Sequence, residues 1–508
     1  MTAGTSQCAV FDFLARRDTH DGAAVERIDT HAAAVFLAGD RALKIKRDVR
    51  FPFLDYSTLA KRKAACEAEI AVNRLYAPAI YRGVVAITRE ADGSLAIGGQ
   101  GEPVEWAVEM GRFDETQTLD HLADAGRIDA ALADALARAI TQAHASVPVV
   151  KDHGFADALY EIAAQNEAEL RAFPDLFSKP LIEALAADTR AALNAVRLLL
   201  TERESAGLVR RCHGDLHLGN IVMIDGQSVL FDAIEFDPAI ATGDVLYDLA
   251  FLLMDLIERG LGAAATVVLN RYLNETRRDA DLDALAALPL LMSVRAAIRA
   301  KVTAARLAND ADNPEIAQSA RDYFALAGKL LHPPKPTLVA VGGLSGTGKS
   351  LLARDLAAEL PPAPGAVWLR SDVERKALFG AGETERLPET AYTREATAQV
   401  YDRLAEKARR VLDAGHSAIV DAVFAVPSER AAIAQIAGDT PFHGLFLTAG
   451  LDVRIARVGT RSGDASDADA AVARTQEQYN LGTMDWHTVD ASGTPADTLA
   501  RAKAVLGR

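Results

Sequence analysis

Arg211-Cys212-His213-Gly214-Asp215-Leu216-His217-Leu218-Gly219-Asn220, followed downstream by Leu230-Phe231-Asp232, decides how the first half of this chain is read. An Asp, an Asn five positions on and a second Asp closing an apolar strand bring three oxygen-bearing side chains to one loop and one strand end. Asp215 is suited to accept the proton of a substrate hydroxyl. Asn220 and Asp232 are hard oxygen ligands suited to Mg²⁺, which bridges the phosphates of ATP. The plainer alternative, in which Asp215 and Asp232 only cap turns, is weakened because all three polar positions are intact. His213 is read as orienting the loop by hydrogen bonding, and Asp244 and Asp248 as binding backbone amides beneath it. Glu235 and Asp237 are either negative charge facing a cationic substrate or solvated loop acids.

Upstream, Ala33 to Leu37 and Arg41 to Lys46 flank Ala38-Gly39-Asp40, a hairpin pattern. Lys44 and Lys46 stand two apart on the second strand and share a face. A lysine there reaches ATP phosphates, and Ala42-Leu43-Lys44 favours Lys44 over an edge-strand lysine in water. Ser57 to Tyr76 reads as a helix with Ser57 as N-cap. Of its two glutamates, Glu67 and Glu69, Glu69 is preferred as the partner that holds the strand lysine. Glu109-Met110-Gly111 is the expected adenine hinge. Beyond Leu119 the spacing is helical and Ala-rich. His144 there is read as structural, and Arg295, Arg299 and Lys301 as ion-paired residues rather than an anion site.

His332-Pro333-Pro334-Lys335-Pro336 cannot continue a helix and is stiff. The expected division is therefore a first domain over 1–332, a Pro-rich linker over 333–336 and a second domain over 337–508. The second opens with an apolar strand, then Gly342-Gly343-Leu344-Ser345-Gly346-Thr347-Gly348-Lys349-Ser350, then a helix. Strand, glycine loop, Lys-Ser and helix form a phosphate cradle. Gly343, Ser345, Gly346, Thr347 and Gly348 close backbone N–H groups on the phosphates, Lys349 reaches the β- and γ-phosphates, and Ser350 ligates Mg²⁺. Asp372, after the second strand, is the candidate base, with Arg375 beside it as a holder of acceptor phosphate or carboxylate. Asp421 ends an apolar strand where it can support the metal through water. Arg454, Arg457 and Arg461 lie on one helical stretch; Arg457 and Arg461 face the same way and are read as closing over the phosphates. Alternating strands and helices to the C-terminus specify a parallel sheet.

At 508 residues the chain is long enough for two or three domains. A net charge of −15 argues against general affinity for nucleic acid or acidic membranes. Cys8, Cys66 and Cys212 are scattered without metal spacing and read as reduced thiols. With no leader pattern and no apolar run long enough to span a bilayer, the expectation is a soluble cytoplasmic protein. Oligomeric state is not encoded in any pattern found.

His213-Gly-Asp215-Leu-His-Leu-Gly-Asn220, Phe231-Asp232 and Gly243-Asp244-x3-Asp248-Leu resemble the aminoglycoside phosphotransferase and choline kinase-like family, over roughly Phe11 to Leu331. The resemblance implies an α+β, protein-kinase-like two-lobed fold that phosphorylates small-molecule hydroxyls, with Asp215 as base and Asn220 and Asp232 on the metal. Thr30-His31-Ala32-Ala33-Ala34 stands where a protein kinase carries its glycine loop, which points to the small-molecule branch. The segment from Thr337 to about Gly507 resembles P-loop kinases of the polynucleotide kinase and zeta-toxin type, an α/β P-loop NTPase fold. Ala-Val-Phe after Asp421 departs from the Thr-Asn often seen in polynucleotide kinases. Both halves together resemble a bacterial tandem fusion. The expectation is an ATP- and Mg²⁺-dependent bifunctional kinase acting on small molecules. The alternative is one catalytic domain with the other an ATP-dependent regulatory or toxin-like module.

Overall fold

The computed structural model describes residues 3–51, 54–308, 310, 312–459 and 465–507. They form two compact units, Met1–Asp157 with Thr201–Leu252, and Ala158–Leu200 with Leu253–Arg508. The second unit runs across residues 333–336, which carry no helix or strand, and includes helices that precede them.

The first unit is built on a six-stranded antiparallel sheet of β1 (Val25–Asp29), β2 (Ala33–Ala38), β3 (Arg41–Lys46), β4 (Tyr81–Arg89), β5 (Leu95–Ile97) and β6 (Glu102–Gly111), in the order β1-β2-β3-β6-β4-β5. Thr30 and Ala33 close the β1–β2 hairpin through a backbone pair and the Thr30 hydroxyl. In β3 the period of two sends Leu43 and Ile45 to one face, where they pack with Phe36, Ile87, Ala107 and with Val10, Phe11 and Leu14 of the Ala3–Leu14 helix. Lys44 and Lys46 take the opposite face. That face is covered by the Leu59–Asn73 helix, whose Cys66 and Ile70 pack with Tyr81, Val108 and Val222. Thr58, and not Ser57, caps this helix: its hydroxyl accepts from the Lys61 amide at 3.3 Å, while Ser57 is occupied by Asp55.

Two short antiparallel strand pairs, the second of them a hairpin, frame the loop carrying Asp215. Val209–Arg211 pairs with Thr242–Asp244, and Ile221–Ile224 with Gln227–Leu230. Asp225 and Gly226 both take positive φ in the hairpin between Ile221–Ile224 and Gln227–Leu230, the turn that an Asp-Gly pair favours.

In the second unit, β7 (Leu338–Gly343), β8 (Val367–Arg370), β9 (Ala418–Asp421), β10 (Phe442–Thr448) and β11 (His487–Asp490) form a wholly parallel sheet in the order β8-β9-β7-β10-β11. Val339, Val341, Ile419, Leu445 and Leu447 pack under Leu352 and Leu356 of the Lys349–Ala357 helix. Near-continuous apolar strands are what a parallel sheet covered on both faces requires. Within the same unit Lys301 pairs with Glu169 at 3.0 Å and Arg299 lies over the Tyr323 ring. Among the described residues no helix is long and apolar enough to cross a membrane.

Candidate functional sites

In the first unit the opposite face of β3 meets the Leu59–Asn73 helix through charge. Lys44 Nζ lies 2.9 Å from Glu69 Oε1 and 2.8 Å from Asp232 Oδ1. Lys46 Nζ pairs with the other Glu69 oxygen and with Glu235 Oε1 at 2.5 Å. Glu69 is fully buried between the two ammonium groups. Burial pushes the Lys44 and Lys46 pKa values down, but the surrounding carboxylates outweigh it and hold both well above the ordinary value. Burial likewise pushes the Glu69 carboxyl up, and Lys44 and Lys46 reverse it to a net depression. Glu67 faces outward, where Lys63 Nζ lies 3.6 Å from its Oε1. Glu235 is spent on Lys46 and the Tyr56 hydroxyl, so it does not offer loose negative charge to a cation.

Asp232 sits in the left-handed region at φ 59°, one residue beyond Phe231. Its amide donates to the Tyr81 hydroxyl at 3.1 Å, and its neighbour Ala233 is clamped by Asn73. Asp215 and Asn220 meet directly: Asn220 Nδ2 donates to Asp215 Oδ2 at 2.9 Å and to its carbonyl at 3.0 Å. With Nδ2 so engaged, Asn220 presents Oδ1, a hard oxygen. His217 Nε2 lies 3.4 Å from Asp215 Oδ2. His213 is buried and bonded through Nε2 to the Phe231 carbonyl at 2.9 Å, and its burial lowers its pKa. Asp248 accepts from the His213 and Gly214 amides at 3.3 and 2.8 Å and lies 3.2 Å from His144 Nε2. Asp244 forms a two-point pair with Arg203. These contacts anchor the loop from below. At the expected hinge, Gly111 ends β6 with its amide on the Ile80 carbonyl.

In the second unit the loop from Gly343 to Ser350 passes from β7 into the Lys349–Ala357 helix. Lys349 Nζ donates to the Leu344 carbonyl at 3.3 Å, and the Ser350 hydroxyl lies near enough to Asp421 to favour its ionised form. Burial pushes the Asp421 carboxyl up, opposed by Lys349 and Arg370; Arg370 Nε lies 4.0 Å from Asp421 Oδ2. Asp372 opens the helix Ser371–Leu378, close enough to Asp421 for mutual repulsion. Arg375 is buried, donates to the Ala391 carbonyl at 2.7 Å and lies over the Tyr392 ring, so it is not an open anion holder.

Arg454 and Arg457 lie on one helix, Leu451–Gly459, but do different things. Arg457 bonds the Thr347 carbonyl at 3.4 Å and the Gly493 carbonyl at 2.9 Å, and lines a cavity of about 320 Å³ with Gly348, Leu351, Pro495 and Thr498. Arg454 is buried and tied to Glu477 and the Ala473 carbonyl. Arg461 lies outside the described residues. Gln476, to which no sequence pattern pointed, accepts from the Ser345 amide at 2.6 Å.

Both donor sets fit a hard divalent cation. The first offers Asp232 and Asn220 and the second Ser350 and Asp421, all oxygen ligands. In each, a lysine stands at the carboxylate end, where phosphate would need it.

A kinase-like lobe with its Lys–Glu–Asp triangle and a P-loop fold with its Lys–Ser–Asp cluster define a chain with two phosphoryl-transfer folds. The sequence profile of the phosphotransferase enzyme family matches residues 35–288, and that of an AAA domain matches 338–480. The chain belongs to the phosphotransferase enzyme family, with a P-loop kinase-like domain following. It is 30% identical over 486 residues to uncharacterized proteins of Mycobacterium tuberculosis (strain ATCC 25618 / H37Rv) and Mycobacterium bovis, covering 93% of this chain and 94% of theirs. Among solved structures it is similar to a choline/ethanolamine kinase family protein from Mesorhizobium loti (16% identity, 64% of this chain and 94% of that one, TM-score 0.40). It is also similar to a gluconokinase from Sinorhizobium meliloti 1021 (23% identity, 34% and 93%, TM-score 0.25).

Proposed function

We propose that the chain is a tandem, ATP-dependent phosphotransferase whose two sites each move a phosphoryl group from ATP to a hydroxyl of a small molecule. The observation that carries this reading is the convergence in the first unit of Lys44, Glu69 and Asp232 by ion pairs and of Asp215 and Asn220 by a hydrogen bond. Magnesium, when bound with ATP, neutralises charge on the transferring phosphoryl group. Asp215 takes the proton of the acceptor hydroxyl, and Asn220 fixes the rotamer in which it does so. Lys44, held by Glu69, meets phosphate. Asn220 and Asp232 hold the metal. In the second site Lys349 and the loop amides cradle phosphate, Ser350 and Asp421 would hold the metal, Asp372 acts as base, and Arg457, which lines the cavity beside the loop, closes over the nucleotide.

The acidic balance of −15 supports small-molecule acceptors over nucleic acid or membrane partners, and a cytoplasmic setting supplies ATP. The test is ATP consumption by the full chain against sugars, amino alcohols, aminoglycosides and nucleosides, alongside Asp215→Ala and Lys349→Ala. An acceptor whose stimulation disappears in only one variant assigns the reaction to that site. No acceptor-stimulated turnover in any arm, with ATP bound, would sink the small-molecule reading.

A further inference from the structure

Residues 262–283 lie inside the segment matched by the phosphotransferase profile, yet they pack within the compact unit that holds the P-loop sheet. The contacts are specific. Strand β8 is an edge strand, and the Asn270 side chain takes the place of a missing neighbour: Nδ2 donates to the Ala366 carbonyl at 3.0 Å and Oδ1 accepts from the Trp368 amide at 2.6 Å. One residue on, Arg271 pairs with Glu383 at 2.5 Å. Glu383 reaches Arg370 at 4.0 Å, and Arg370 reaches Asp421 at 4.0 Å. All four side chains are at least three-quarters shielded from solvent, so their charges are weakly screened. Arg403 and Arg410 fasten the following turn through Asp279 and Asp283.

We propose that the Gly262–Thr276 helix is a working part of the P-loop site, with Arg271 acting as a positioning residue that, by occupying Glu383, keeps the Arg370 guanidinium beside Asp421. This rests on the reading of that site as a Mg²⁺-dependent nucleotide site. The logic is competition for one guanidinium. With Arg271 present, Glu383 is satisfied and Arg370 is shared with Asp421. Without it, Glu383 draws Arg370 away, and the guanidinium that stands beside the Asp421 carboxylate leaves its place. Asn270 pins the strand that ends at Arg370, so the site's acceptor edge depends on a helix outside the P-loop fold. A fragment cut at the Pro-rich stretch lacks both contacts.

The experiment uses the full chain in an Asp215→Ala/Asp232→Ala background, so that metal-dependent events report on the P-loop site. Mg²⁺ dependence of ATP turnover and of ATP binding is measured for Arg271→Gln and for the exchanged pair Arg271→Glu/Glu383→Arg. Arg271→Gln is expected to weaken the Mg²⁺ response about tenfold. Metal-free ATP binding is expected to stay unchanged, and the exchanged pair is expected to regain most of the response. An unaltered Mg²⁺ response in Arg271→Gln overturns the proposal. Loss of metal-free ATP binding without rescue also overturns it, because the contact is then only a fold contact. If the background shows no turnover at all, catalysis at the second site is what fails, and the Mg²⁺ dependence of binding alone decides for or against Arg271.

Discussion

Asn73 and Ala233 are joined in both directions: the Asn73 side-chain nitrogen donates to the Ala233 carbonyl at 3.1 Å, and its oxygen accepts from the Ala233 amide at 2.7 Å. The pair spans 160 residues and connects the last turn of the Leu59–Asn73 helix, which carries Glu69, to the residue after Asp232. One buried carboxamide thus sets the distance between the two carboxylates that share Lys44.

Asn73→Ala removes both bonds and leaves two buried backbone groups without partners, a cost of about 2 to 4 kcal/mol. Stability by denaturant titration is expected to fall by that amount. Turnover at the first site is expected to fall further than stability alone explains, since Asp232 loses its anchor. Asn73→Asp keeps the acceptor but sets a carboxylate against the Ala233 carbonyl, and is expected to do no better. A variant as stable and active as the parent would remove Asn73 from the account.

Glu69→Gln leaves the Lys44 and Lys46 ammonium groups buried with one shared counter-charge gone. Breaking such a buried pair costs roughly 3 to 5 kcal/mol. Lys44 then leans wholly on Asp232, so the KM for ATP is expected to rise along with the loss of stability. Glu67→Gln, on the exposed side of the same helix, is the control and is expected to change neither.

Acid sensitivity has an identifiable source in the second unit. His416 is buried with Nε2 on the Gly365 carbonyl at 2.7 Å, and desolvation lowers its pKa to about 4. The unfolded chain holds this proton with a pKa of about 6.5, so it binds more protons than the folded chain between the two values. His416 therefore costs nothing above pH 6.5 and removes stability as pH falls toward 4. The loss between pH 7.5 and 4.5 is about 2 to 3 kcal/mol. His416→Gln retains an N–H for Gly365 and does not titrate. Its denaturation midpoint is expected to fall less than the parent's across that interval, and an equal fall would rule the histidine out.

The two folds were legible because each announces itself over a few consecutive residues: Asp215 to Asn220 with Asp232, and Gly343 to Ser350 between a strand and a helix. Lys44 was readable from the alternation of β3, which leaves Leu43 and Ile45 one face and the lysines the other. What stayed hidden depends on contacts between distant segments. Asn73, Tyr81, Gln476 and the Arg271–Glu383 pair are ordinary polar residues until tertiary structure brings each to its partner 112 to 160 residues away. Ser57 and Thr58 are adjacent hydroxyls with equal claims to the N-cap, and the Asp55 side chain decides between them by occupying Ser57. Arg375 looked like an anion ligand because a sequence does not show that the Ala391 carbonyl already takes its guanidinium.

Two glycines of the second unit separate a site effect from a backbone effect. Gly346 has φ +85°, and a Cβ there would lie 2.5 Å from the Arg454 carbonyl oxygen and 2.9 Å from its carbonyl carbon. Both obstacles are backbone atoms of the Leu451–Gly459 helix, which also carries Arg457, so relief would require the loop and that helix to part. Gly380 has φ +66° and nothing within 4 Å. Gly380→Ala is expected to cost about 1 kcal/mol of stability, the left-handed penalty alone, with nucleotide affinity intact. Gly346→Ala adds a clash to the same penalty at the point where the loop must close on phosphate. Nucleotide affinity at the P-loop site is expected to drop at least thirtyfold, about 2 kcal/mol. Binding isotherms in the Asp215→Ala/Asp232→Ala background, with melting curves for both variants, check the pair. Equal affinities in the two variants would mean that the close approach of Gly346 to Arg454 has no bearing on how the loop holds phosphate.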